Sequence, residues 1–77
     1  MLVYTIEKHI AEIGSSHNTT KELNKVSWNK GQAKLDLRSW RTDDNGDKQP
    51  NKGITLTDAE AQALYNALGE YLHNGQA

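Results

Sequence analysis

The chain has 77 residues, no cysteine, 35% hydrophobic residues and a formal net charge of −1. This length fits one domain, residues 1–77, with a thin margin of stability; without disulfides or thiolate metal sites, a second copy of the chain is the expected staple. No apolar run approaches the roughly 18–20 residues that cross a bilayer, and MLVYTIEKHI lacks the basic leader and unbroken apolar stretch of a secretion signal, so a cytoplasmic or nucleoid-associated protein without membrane contact is expected.

Residues 2–13 alternate, with Leu2, Tyr4 and Ile6 on one face and Thr5 and Glu7 on the other, which predicts a strand. The phase slips around Lys8–Ile10, as a bulge near His9 would make it. Gly14-Ser15-Ser16-His17-Asn18 has the chemistry of a loop. A second strand is predicted from Thr20 to Trp28, then a turn at Asn29-Lys30-Gly31 in which Gly31 supplies positive φ. A third strand runs from Ala33 to Arg41. Leu35, Leu37 and Ser39 share one side of it, the core candidate, and Lys34, Asp36, Arg38 and Trp40 share the other. Residues 42–52, with Asn45-Gly46 and Pro50, read as a loop or long hairpin connection, and Gly53-Ile54-Thr55-Leu56 as a short fourth strand.

The last element is a helix. Thr57 and Glu60 form a capping box, Ala61, Leu64, Tyr65, Leu68 and Leu72 recur at helical spacing, and Asn74-Gly75 is a stop. Ala63, Ala67 and Tyr71 widen the apolar surface, either as plain helix flank or as contact with a second copy. The expected fold is therefore α+β, a four-stranded sheet followed by one C-terminal helix.

Catalytic and metal chemistry find little support. His9, His17 and His73 fall on different elements and no pair has ligand spacing. Asp43-Asp44-Asn45-Gly46-Asp47 resembles a calcium loop only superficially, because counting back from Gly46 puts Arg41 where the first carboxylate belongs. There is no nucleophile elbow, phosphate loop or dinucleotide fingerprint. No cofactor is expected, and the chain reads as a non-enzyme.

Charge is unevenly spread. Residues 21–52 carry eight Lys or Arg against five acids, whereas residues 53–77 carry three acids and no Lys or Arg. Lys21, Lys25, Trp28, Lys30, Lys34, Arg38, Trp40 and Arg41 all fall on one predicted hairpin or its rims. Single-strand binders combine cations that follow phosphates with flat rings on which bases stack. Aliphatic residues on the opposite side predict an exposed Trp40, whereas Trp28 fits either a stacking platform or the core.

The run Asp36-Leu37-Arg38-Ser39-Trp40, a polar turn, then Lys52-Gly53-Ile54-Thr55-Leu56 and a capped helix resembles the single-stranded-DNA-binding domain of transcriptional positive cofactor four (PC4-like). Lys21-Glu22-Leu23-Asn24-Lys25-Val26-Ser27-Trp28-Asn29 is similar to its bacterial YdbC-like branch. The resemblance covers roughly residues 20–72. It implies an antiparallel sheet, a homodimer in which helices and sheets of two copies pack together, and channels along the sheets for extended single strands. Arg38 and Lys52 match its motif cations and Trp40 its aromatic. Trp28 and Lys30 fall near a further stacking aromatic and lysine, across a turn one residue longer. Lys21 and Lys25 match the bacterial branch alone. The modest net charge departs from the family pattern, and the lack of a basic N-terminal tail favours a bacterial or phage protein over a eukaryotic coactivator.

The expected function is sequence-tolerant single-stranded DNA binding by a homodimer, in transcription, replication or repair. Lys21, Lys25, Lys30, Lys34, Arg41 and Lys52 would meet phosphates, Arg38 a phosphate or base, and Trp40 and Trp28 the bases. RNA binding on the same surface and a protein-interaction module are the alternatives.

Overall fold

The structure is a computed structural model and describes residues 3–74. Four strands, β1 (Tyr4–Ser16), β2 (Thr19–Trp28), β3 (Lys34–Thr42) and β4 (Lys48–Leu56), precede one helix, α1 (Asp58–Asn74). The strands form one antiparallel sheet, as expected, and lie in the order β1-β2-β3-β4. Leu2 and Gly75, assigned above to the first strand and the helix stop, lie outside the described residues.

The connections are tighter than expected. Gly14, Ser15 and Ser16 are not loop but pair with Lys21, Thr20 and Thr19, leaving His17-Asn18 as the turn. Between β2 and β3 the positive φ values belong to Asn29 (53°) and Lys30 (64°), not to Gly31. The Gly31 N–H donates to the Trp28 carbonyl at 2.9 Å, which closes the mirror-image turn whose hand suits a twisted hairpin. The fourth strand begins at Lys48 rather than Gly53. Pro50 is tolerated there because β4 is an edge strand whose outward N–H needs no partner. The remaining turn is organised by Asp43, whose Oδ1 accepts the backbone N–H groups of Asn45 and Asp47, both at 2.9 Å. The acidic run is thus a hydrogen-bonded turn, as its composition suggests.

β1 carries three irregularities. Its register against β2 shifts between Ile6 and Lys8, between His9 and Ala11, and between Glu12 and Gly14. The bulge foreseen near His9 belongs to this series. Each extra residue bends the strand and raises its twist, and bulges also blunt an edge against unwanted pairing. At the far end Thr57 and Glu60 form the expected capping box: Glu60 N–H donates to Thr57 Oγ1 at 3.1 Å, and Thr57 N–H to Glu60 Oε1 at 2.9 Å.

The two sheet faces divide as the alternation predicts, but their burial is reversed. Leu23, Leu35 and Leu56 line a shallow apolar groove with Ala61, Leu64, Tyr65 and Leu68 of α1. That face is poorly covered: none of the described helix residues is buried, and Ile54 is 55% exposed. The buried side chains lie on the other face, where Glu22, Asn24 and Val26 of β2 neighbour Asp36 and Trp40 of β3. The cause is curvature. Trp40 pairs with Thr20, eight residues from Trp28 along β2, about 26 Å of straight strand. Yet the two indoles stack with centroids 6.4 Å apart. The strands therefore curl over this face and enclose it.

Lys30 holds a left-handed conformation that costs an ordinary residue about 1–2 kcal/mol. Lys30→Gly is expected to stabilise the chain by roughly 1 kcal/mol, seen as a higher midpoint in urea unfolding.

Candidate nucleic-acid interface

The curled face is built on three rings. Tyr4 lies 5.5 Å from Trp28 and 5.4 Å from Trp40, both tilted, and the two indoles stack at 10°. Trp40 is 1% exposed, which overturns the expectation that it stands open to solvent. It is sealed by the curl of the sheet, on the face away from α1. Trp28 is half-buried, between its two possible roles. Neither indole N–H has an acceptor among the described residues.

Two cations cover the rings. The Arg38 guanidinium carbon lies 4.5 Å from the centre of Trp28, and Lys48 Nζ lies 5.4 Å from that of Trp40. Each is tied to a buried carboxylate. Arg38 donates from Nε and Nη2 to the two oxygens of Asp36, at 2.6 and 2.7 Å, and Asp36 is fully buried. This paired geometry is the strong form of a charge-assisted hydrogen bond. Asp36 thus sits among the predicted binding residues to hold Arg38. Lys48 Nζ reaches Glu22 Oε2 at 2.6 Å, across the sheet from β4 to β2. The Thr20 hydroxyl and Asn24 Nδ2 also donate to Glu22, at 2.5 and 3.2 Å. His9 Nδ1 stands 2.7 Å from Asn24 Oδ1 and 3.5 Å from Glu22 Oε1.

Arg38 reaches this position because its partner across the ladder is Gly53. A Cβ at Gly53 would collide with the Arg38 side chain and come within 2.5 Å of its Cα. The slot is left empty, and Arg38 Nη1 extends over it to the Asn51 carbonyl at 3.0 Å. The glycine of the Lys52-Gly53-Ile54 run is there for close approach.

Not all of the predicted residues meet. Lys34, Arg38, Trp28 and Trp40 share the curled face by register. Lys21, Lys25 and Arg41 alternate with them and project from the helix side of the sheet. Lys30 is at the exposed turn and Lys52 is exposed beside the β3–β4 irregularity. The structure adds Tyr4 and Lys48, which the sequence pattern left out. Lys48 was hidden in a stretch read as loop, because Pro50 and the acidic turn masked the strand. Tyr4 showed only as one member of an alternation; its contact with Trp40 joins strands that are not neighbours.

The geometry defines a class: a small four-stranded module with a cation-rimmed aromatic face on one side of the sheet and an incompletely covered apolar face on the other. Residues 15–67 match the family described as Transcriptional Coactivator p15 (PC4). The chain belongs to that family. Among curated proteins, none matches the chain. No helix among the described residues is long and apolar enough to cross a membrane.

Burial pushes the Glu22 carboxyl up, but the hydrogen bonds from Lys48, Thr20 and Asn24 and the Lys48 charge together outweigh it, leaving the group below its usual value near 4.5. A carboxyl lowered on folding stabilises the fold fully above its unfolded value, and that stability is lost as pH falls through the lower folded value. The melting-temperature advantage of the native chain over Glu22→Gln is therefore expected to be constant near neutral pH and to shrink below about pH 4.5. Melts of both proteins across the acid range check it.

Proposed function

We propose that the chain is a sequence-tolerant single-stranded DNA-binding protein that works as a homodimer and has no catalytic activity. The observation that carries this is the pairing of two stacked indoles with cations on one curled face, in a chain whose family match spans most of its length. Lys34, Arg38, Lys48 and Lys52 offer positive charge along or beside that face for a phosphate backbone, and Trp28, the more open indole, is the nearest stacking platform. Lys21, Lys25, Lys30 and Arg41 extend the positive field around the sheet and its turn. The YdbC-like run at residues 21–29 supports a bacterial origin, a cytoplasmic setting, and service in transcription, replication or repair.

The other face supports the dimer reading. Tyr65 is 74% exposed, with Leu68, Leu72, Tyr71 and Ile54 about half-exposed or more. A lone 17-residue helix with no buried residue has little to hold it, and an apolar surface of this kind marks an interaction site. A second copy packed on α1 and the Leu23, Leu35 and Leu56 groove supplies the missing cover.

Titration of the tryptophan fluorescence with oligo-dT tests the binding. Quenching is expected, with log affinity falling against log salt at a slope of about −0.7 for each phosphate neutralised, or roughly −3 for four cations. No quenching at low salt would defeat the proposal, and tighter binding to matched RNA would reassign the ligand. Light scattering is expected to give twice the 8.6 kDa chain mass. Leu68→Asp should reduce it to the monomer with loss of helical signal, because a charge there cannot be buried against the second copy.

A further inference from the structure

The Trp40 part of the face proposed above to bind is shut in this structure, and the parts that shut it are identifiable. A base cannot stack on an indole that is 1% exposed. The cover over Trp40 comes from both edges of the sheet. Tyr4, at the start of edge strand β1, lays its ring against both indoles. Its hydroxyl donates to the Lys48 carbonyl on the opposite edge strand, β4, at 3.3 Å. The Lys48 side chain returns over Trp40 to Glu22. Tyr4 and Lys48 thus close a strap across the whole four-stranded sheet.

The strap is lightly anchored. Both residues sit at the first positions of edge strands, Tyr4 of β1 and Lys48 of β4, the latter next to the Asp43–Asp47 turn. The hydrogen bond between them is long and exposed, and Lys48 keeps 42% of its side chain in solvent. What lies beneath is incomplete. Among the described residues the buried indole N–H groups of Trp28 and Trp40 have no acceptor, and a buried donor left unpaired carries a desolvation cost. A settled core rarely keeps two such donors side by side.

We infer that Tyr4 and Lys48 form a gate, so that the resting chain is a self-closed form of the binding face and a nucleotide strand enters only when the strap parts. The inference rests on the single-strand reading above. In the open form Lys48 is freed from Glu22 to meet a phosphate, and the indole N–H groups are presented to acceptors on the ligand, base carbonyls or phosphate oxygens. Affinity is reduced in proportion to the open fraction. An open form populated at roughly 10% or less leaves a gain of about tenfold or more to be released.

Stopped-flow mixing with oligo-dT is the test. For the native chain the observed rate is expected to level off at high oligonucleotide concentration, at the rate of gate opening. Tyr4→Phe keeps the ring and removes the tie to Lys48, and is expected to raise that plateau. Tyr4→Ala removes the cover and is expected to bind about tenfold tighter or more. A rate that climbs linearly with concentration and is unchanged in Tyr4→Phe would overturn the gate, as would weaker binding by a folded Tyr4→Ala. Solvent exchange of the two indole N–H signals in ligand-free protein separates this from the parent reading. If oligo-dT does not bind at all, the single-strand function fails, yet faster indole exchange in Tyr4→Phe still supports the strap, and unchanged exchange refutes it.

Discussion

The curl of the sheet over Trp28 and Trp40 is the constraint on which the other features depend. It brings together two rings that a flat ladder would hold about 26 Å apart. The enclosure takes Glu22, Asn24 and Asp36 out of water with them. Burying two carboxylates is costly unless each is paired and hydrogen-bonded. Arg38 answers Asp36, and Lys48 with Thr20 and Asn24 answers Glu22. The same two cations then come to rest on the indoles. Charge pairing and ring contact are one arrangement, which links the chemistry of this face to its shape.

The geometry of β1 and β4 makes that shape possible. The irregular register of β1 lets the edge strand bend, and Gly53 leaves a slot for the Arg38 side chain. The two edges then lie close enough for a tyrosine on one to reach a carbonyl on the other. A face closed by its own edge strands differs from a core closed by a second layer. Its cover is two side chains at strand ends rather than a helix.

The opposite face lacks that closure. α1 lies against β3 and β4 and shares an apolar groove with Leu23, Leu35 and Leu56, without burying any described residue of its own. In a 77-residue chain with no disulfide, leaving this much apolar surface uncovered forfeits a large share of the stabilisation open to it. The proposed division of labour follows: one face for a second copy, the other for a ligand.

Local chemistry by itself determined the four strands, the capped helix, the alternation of β3 and the placement of cations and tryptophans near one hairpin, because periods of 2 and 3.6 and the Thr57–Glu60 box are properties of neighbours in the chain. The Asp36–Arg38 and Lys52-Gly53 runs were legible as a resemblance to a known family, and the close approach of Gly53 to Arg38 was shown by the structure. Only the tertiary structure decided that Trp40 is buried, that Lys48 and Tyr4 belong to the same face as the indoles, and that the face holding Lys21, Lys25 and Arg41 is the one α1 lies on. Alternation says which residues share a side but not which way the sheet curls. The positive φ at Asn29 and Lys30, in place of Gly31, was likewise set by the hand of the turn that the twisted strands require.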